Sequence, residues 1–371
     1  MPYFIFIIIS LMSIFSHSHA DEFIPYQCEG NASFVYDQGK GTMTTLNYFG
    51  TSITIDIYHD DKQQALSALC HGLHVVQQYH YLGSNFSTYP YFTNIKTINN
   101  APDKLHQIDP RLTELLHASI EWHQLTNGRF NIAIAPVLAV WRQARNVCLK
   151  ENDCQLPMRQ TLEDAAKHID ISKIILDATH NTVQMQAGMQ LDLGGIAKGW
   201  MVEKVYDRLR ADGITSFIIN AGGNIRHFGI HPSGRQFITA IEDPLARKYN
   251  NRNGINNSVY HEYITAQDIT LVSSGNYLNY FTVDGKDYHH IIDPTTLYPK
   301  RDGISVSVIM QRNTLLADVI STSLFLMPVV EAQVWLQDIG LDKDVEAIWY
   351  LDDYGNKFET AGVAKLRAQY Q

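Results

Sequence analysis

Three short stretches carry residue types and spacings that could do chemistry on a phosphate. LDLGGIAKG (191–199) places Gly194-Gly195 between an apolar run and the start of a helix. A helix N-terminus presents unpaired N–H groups and the positive end of its dipole, and glycine lets an anion reach the backbone. Lys198 precedes Gly199, so neither the Gly-Lys-Ser/Thr order of a P-loop nor G-x-G-x-x-G is present. Tight helix–strand packing is the alternative use of the same glycines. In ADVISTS (317–323), Asp318 and Thr322 stand four apart and share one helix face inside an apolar segment, where a carboxylate is costly unless compensated. A hard cation such as Mg²⁺, held with hydroxyl and phosphate oxygens, would compensate it; so would a nearby backbone amide. In YHHIIDP (288–294), His290 precedes an apolar pair and the Asp293-Pro294 turn, which makes it a candidate general base or phosphate donor, or simply an exposed histidine at a strand end. Ser273-Ser274-Gly275 lacks a G-x-S-x-G elbow and does not support a serine nucleophile.

The surrounding pattern says what could position these groups. TLNYFGTSITIDIYHD (45–60) alternates about Gly50 and reads as a strand pair or a bulged strand, and KQQALSALCHGLHVVQQYHYLG as a helix. Asp109-Pro110 opens a second helix that Gly128 closes. FNIAIAPVLAVW is ambiguous between strand and short helix, and 142–160 reads as a polar loop. KIILDATHNTVQMQ reads as a strand. A helix over 200–212 ends at Gly213, the strand SFIIN follows, and Gly222-Gly223 comes after it. Strands are expected around 235–242 and 263–274, flanking a mobile loop, ARKYNNRNGINNS. ISVSVIM, TLLADVISTSLFLM, EAQVWLQDIG and VEAIWYLD then read as strand, helix, helix and strand. Hairpin-length and helix-length gaps both occur, so the expected class is mixed α/β (α+β), with mixed sheets and flanking helices.

Composition narrows the classes. The 371 residues are 45% hydrophobic and 18% charged with a net charge of -9, an ordinary globular balance without the basic surface nucleic acid needs. Residues 1–20 read as a secretory signal peptide, with an apolar run from Tyr3 to Phe15 and small residues before Asp21; an uncleaved anchor is the alternative. Residues 21–44 read as an irregular N-terminal segment and 45–365 as the functional domain. Cys28, Cys70, Cys148 and Cys154 show no metal-site spacing. In an exported chain they permit a local Cys148–Cys154 bridge and a Cys28–Cys70 remainder, or stay buried thiols.

In order along the chain, the motifs FGTSITI, FSTYPYFTNIKTINN, LTNGRFNIAIAPVLAVW, LDLGGIAKGWMVEKV, NAGGNIRHFG, SSGNYLNYFTVDGKDYHHIIDP and LLADVISTSLFLM resemble those of the ApbE family, the FAD:protein FMN transferases. The resemblance implies a T-fold-like architecture with an FAD cleft between two intertwined subdomains. It implies Mg²⁺-dependent transfer of FMN from FAD to a Ser/Thr hydroxyl of an acceptor flavoprotein, with release of AMP. It also implies metal ligation by the Gly195 carbonyl, Asp318 and Thr322, and a role for His290 or Asp318 in taking the hydroxyl proton. FAD contacts are implied for Phe49, Tyr89, Arg129, Phe130, Asn131, Asp192, Lys198 and Ile292. An FAD pyrophosphatase and a non-catalytic exported FAD-binding protein are the alternative functions. Export implies a periplasmic location and a periplasmic or membrane redox protein as acceptor. Phe49, Asn131, Ala135, Asn224 and Leu297 depart from the family's usual Met, Asp, Gly, Asp and Gly.

Overall fold

The computed structural model describes residues 28, 30–255, 257–311 and 314–368, so the segment read as a signal peptide lies outside the described residues. Its frame is a nine-stranded sheet: β1 (Ser33–Asp37), β2 (Lys40–Thr45), β3 (Ile53–Tyr58), β4 (Phe217–Ala221), β5 (Asn224–Phe228), β6 (Asp268–Gly275), β7 (Ser305–Met310), β8 (Val345–Tyr350) and β9 (Lys357–Glu359). Each strand pairs antiparallel with the one before it in the chain, so the sheet is a single meander, with the large helical segments inserted between neighbouring strands and a short helix, Val363–Leu366, after the last. The β3–β4 insertion carries the helices α1 (Lys62–Gly83), α2 (Pro110–Leu125), α3 (Ala135–Glu151) and α4 (Ala197–Ala211). The β7–β8 insertion carries α5 (Ala317–Leu326) and α6 (Val329–Asp338).

The alternation of side chains across a strand explains how the sheet is covered. In β3, Ile53, Ile55 and Ile57 point under α1 and α4 and are fully buried, while Thr54, Asp56 and Tyr58 stay half-buried on the other side. Each such isoleucine contributes about 1.5–3 kcal/mol of burial. Every residue of β7 is buried: Val306, Val308 and Met310 join the helix-side core, and Ile309 joins a second core with Leu271, Ile348 and Tyr350. That second core is closed by the hairpin Phe237–Glu242/Tyr260–Ala266. A third cluster joins Ile134, Val137 and Trp141, at the start of α3, to Phe281, Val283, Tyr288 and Ile292 of the hairpin Tyr280–Val283/Lys286–His289 and its exit. It forms a separate lobe, and the cleft opens between this lobe and the sheet with its helices.

Local chemistry sets the element ends. Asp61 caps α1 through the Gln63 and Gln64 N–H groups at 2.8 and 3.0 Å, and Asp109 caps α2 with Pro110 in its first turn. Gly213, at φ +80, closes α4 as expected. Four expectations need correction. Residues 21–44 are not irregular throughout: β1 and most of β2 lie there, joined by Gln38-Gly39 with both φ positive, a hairpin turn without the usual Asn-Gly signal. The segment 142–160 is not all loop, because α3 runs on to Glu151. The loop ARKYNNRNGINNS is half helix, since Asp243 caps Pro244–Arg252 by accepting from the Leu245 and Ala246 N–H groups. KIILDATHNTVQMQ is a hairpin, Ile175–Asp177 and Thr182–Gln184, rather than one strand. Of the alternatives the sequence left open for its cysteines, the structure has the two bridges, Cys28–Cys70 and Cys148–Cys154.

Candidate functional site

The cleft has a volume of about 700 Å³, and nearly all the residues singled out from the sequence line it. On the sheet side stand Phe49, Arg129, Phe130, Asn131, Asp192, Gly195, Lys198, Asp318 and Thr322; on the lobe side stand His290 and Ile292. Tyr89 is the exception. It is not a wall residue but packs behind one: its hydroxyl lies 3.2 Å from His80 Nε2, and His80 Nδ1 accepts the Phe49 N–H at 3.2 Å. That bond holds Phe49 at φ +54, a left-handed conformation uncommon outside glycine.

The two glycine pairs do different work. Gly222 and Gly223, at φ +56 and +91, form the two-residue turn joining β4 to β5. A Cβ on Gly222 would lie 2.1 Å from Thr51 Oγ1, so the turn also admits the loop that carries Phe49. Gly194-Gly195 has ordinary φ values, and what it provides is room. A Cβ would meet Asp192 Oδ1 at 2.9 Å from Gly194 and Phe130 at 3.3 Å from Gly195. The Gly194 N–H donates to Asp192 Oδ1 at 2.8 Å, and Asp192 Oδ2 accepts from Asn85 at 2.8 Å and pairs with Arg142. Asp192 therefore positions the glycine turn and one cleft cation.

Asp318 is buried, 7% exposed, at the first turn of α5. Its Oδ2 accepts the Gly199 N–H at 3.0 Å, which supplies the amide partner that α4 lacks from any capping side chain. Gly199 makes this contact possible, because a Cβ there would lie 2.6 Å from Asp318 Cβ. Oδ1 has no hydrogen bond among the described residues, and the residue lines the cleft. One turn on, Thr322 Oγ1 lies 3.5 Å from Ser274 Oγ and 3.8 Å from where a Gly195 Cβ would be. A carboxylate oxygen, a hydroxyl and the Gly195 carbonyl could hold a hard cation that takes its remaining ligands from phosphate and water. Among the described residues no three His, Cys, Asp or Glu side chains cluster to hold a metal, which leaves this single-carboxylate set as the candidate.

His289 and His290 have opposite roles. His289 is buried: Nδ1 accepts the Ile291 N–H at 3.2 Å and Nε2 faces the Lys300 carbonyl at 2.6 Å, so it is neutral and structural, with its pKa pushed down to about 4 by burial. His290 reaches into the cleft and keeps contact with water there. Enclosure by the cleft walls lowers its pKa from the ordinary histidine value, and the charge of Arg145 lowers it further, which leaves an unprotonated imidazole at neutral pH. Burial likewise lowers the pKa of Lys198 against the pull of Asp318. The Lys198 ammonium donates to Asn224 Oδ1, while Asn224 Nδ2 is buried without a partner.

Several departures acquire a physical meaning. Asn131 Oδ1 accepts from the Ala133 N–H at 2.8 Å and its Nδ2 donates to the Ile169 carbonyl at 2.9 Å; a carboxylate could not make the second bond. Ala135 is the first, buried residue of α3. Leu297 has φ +65, the conformation that favours glycine, and its carbonyl accepts the Trp141 indole N–H at 2.8 Å. The sequence reading missed Arg142 and Arg145. With Leu138 and Trp141 they occupy 138, 141, 142 and 145, one face of α3, and all four line the cleft. That helical spacing was the available signal, hidden by reading 142–160 as loop.

The architecture is therefore a mixed α/β fold with a cationic, oxygen-rich cleft between two lobes threaded by one chain. The chain belongs to the ApbE family, whose family model matches residues 49–349. It is 30% identical over 229 residues to the FAD:protein FMN transferase of Treponema pallidum, covering 59% of this chain and 60% of that protein. With the FAD:protein FMN transferase of Vibrio cholerae it shares 29% identity over 213 residues, 56% and 58% of the two chains. The chain thus spans about three-fifths of the length of these curated relatives. The crystal structure of the ApbE protein from Thermotoga maritima has the same fold, with a TM-score of 0.73 at 24% identity over 91% of this chain and 100% of that one.

Proposed function

We propose that this protein is a Mg²⁺-dependent FAD:protein FMN transferase that acts after export, on a periplasmic or membrane redox protein. The observation that carries the reading is the placement of Asp318 and Thr322 beside the Gly194-Gly195 turn, in a cleft where Arg129, Arg142, Arg145 and Lys198 gather positive charge. Such a cleft suits a pyrophosphate. Gly195, Asp318 and Thr322 would hold Mg²⁺, which when bound neutralises charge growing on the pyrophosphate oxygens. In this reading a Ser or Thr oxygen of the acceptor attacks the flavin-side phosphorus. The bond from that phosphorus to the bridging oxygen breaks, AMP leaves with that oxygen, and a phosphoester to FMN forms. The hydroxyl proton passes to His290, unprotonated at neutral pH, or to Asp318. Export rests on the apolar run at residues 3–15; among the described residues no helix is long and apolar enough to cross a membrane.

The test is incubation with FAD and Mg²⁺, with and without an acceptor domain bearing a Ser/Thr attachment motif. AMP release and denaturation-resistant acceptor fluorescence are the readouts. Covalent flavin is expected, abolished by EDTA and by Asp318→Ala. Free FMN and AMP without labelling of a competent acceptor would instead identify a pyrophosphatase, and bound FAD with no AMP a binding protein.

A further inference from the structure

The four cleft cations are not equivalent. Arg129 pairs with Glu331, Arg142 pairs with Asp192, and Lys198 donates to the Asn224 amide. Arg145 alone has no ion pair or hydrogen bond among the described residues, and its Nε is buried without a partner. Arg145 is half-buried, and its Nε–H forfeits the hydrogen bond it makes in water, a cost that a ligand accepting from it would offset. Nothing among the described residues does so, although Arg145 sits three residues beyond Arg142, whose counter-ion is in place.

We propose that Arg145 is a substrate-binding residue, whose guanidinium engages a phosphoryl oxygen of the bound dinucleotide from the wall opposite Asp318. The inference rests on the transferase reading only for the cleft's ligand being a pyrophosphate-bearing nucleotide. Three observations carry it. Arg145 lies on the α3 face that also brings Leu138, Trp141 and Arg142 to the cleft. The α3 wall belongs to the lobe, whereas Asp318 and Gly195 belong to the sheet side, so a pyrophosphate between them would be gripped from both sides. The planar fork of arginine matches phosphate oxygens and binds two at once, which a neutral wall could not do. Its charge also acts on His290 across the same space, helping keep that imidazole unprotonated until a phosphate arrives.

The experiment is calorimetric titration of the full chain with ADP and, separately, with FAD in the presence of Mg²⁺. Arg145→Gln and Arg145→Lys are compared with the native protein. Loss of a charge-assisted contact predicts binding about tenfold to a hundredfold weaker for both ligands in Arg145→Gln. Arg145→Lys, which keeps the charge but not the fork, should lose less and also serves if the glutamine variant does not fold. The pKa of His290, followed by NMR, should rise in Arg145→Gln, which reports that the lost charge faced the cleft. Native-like affinity for both ligands in a folded Arg145→Gln overturns the proposal. So does a native protein that binds neither ligand. Arginine-dependent ADP binding without any flavin transfer would support the proposal while removing the transferase reading, so the two fail separately.

Discussion

Replacing Gly199 with alanine tests the contact on which the candidate metal site depends. The new Cβ would sit 2.6 Å from Asp318 Cβ and 3.3 Å from its Cγ and Oδ2, whereas ordinary contact begins near 3.4 Å. The obstacle is the root of a helical side chain, so rotation about χ1 cannot relieve it; α4 and α5 must separate by about 0.8 Å there. Two energies oppose each other. Alanine favours the helix over glycine by about 1 kcal/mol, and overpacking a tight contact costs about 1–3 kcal/mol, so stability should change by no more than about 2 kcal/mol. Function should change far more. A shift of that size weakens the Gly199 N–H bond to Asp318 and moves the carboxylate relative to Thr322, and misplacement on the order of 1 Å at a reacting centre costs about a hundredfold. The assay is AMP release against Mg²⁺ concentration, with thermal unfolding in parallel. The expected result is a nearly unchanged Tm, a raised Mg²⁺ requirement and turnover down by about a hundredfold. Native turnover and native Mg²⁺ dependence in Gly199→Ala would refute the reasoning, because they would mean that the Asp318 position is not set by this contact.

His80 should act on the cleft through Phe49. His80→Ala removes the acceptor of the Phe49 N–H and releases a strained loop, so KM for FAD should rise roughly fivefold to tenfold with kcat little altered, and His80→Asn should recover part of the loss; an equal fall in kcat would contradict this role. Buried His289 sets a pH dependence. Its folded pKa, about 4, lies below the unfolded value near 6.5, so falling pH protonates the unfolded chain first. The stability contribution is full above about pH 6.5 and is progressively lost towards pH 4, by up to about 3 kcal/mol. Urea unfolding across that range should show the decline, and His289→Gln should make it shallower by one histidine's share, the rest coming from His74, His227 and His290; an unchanged slope would refute a contribution from His289.

What the sequence displayed was chemistry written in local spacing. Asp318 and Thr322 four apart needed only a helix to share a face, and the structure supplies α5. The two readings of Asp318, amide partner and cation ligand, are compatible: one oxygen takes the Gly199 N–H, and the other has no hydrogen bond among the described residues in a side chain that lines the cleft. What the sequence hid was pairing at a distance. That Gly199 must be glycine depends on where α5 crosses α4, 119 residues later in the chain. β1 and β2 were missed because Gln38-Gly39 carries half the usual turn signal and β1 is half-exposed, so its alternation is weak. Arg142 and Arg145 were missed because polar residues on a helix normally mean solvent, and here that face turns inward onto a polar cleft.

The two Asp-to-Asn departures look alike in sequence and differ in physics. At 131 the amide is a joint: it accepts from Ala133 and donates to Ile169, so the asparagine is used locally by the fold of this chain. At 224 the amide faces a cation. Asn224 gives Lys198 a hydrogen-bond acceptor but no compensating charge, and burial already holds the Lys198 pKa down. An aspartate there would neutralise Lys198 and raise its pKa, spending the charge inside the protein. With asparagine the carboxylate that acts on Lys198 among the described residues is Asp318, and both line the same cleft. Arg145 thus keeps a positive charge with no ion pair among the described residues, while Lys198 shares Asp318 with whatever cation the cleft holds, and both can face a doubly charged pyrophosphate.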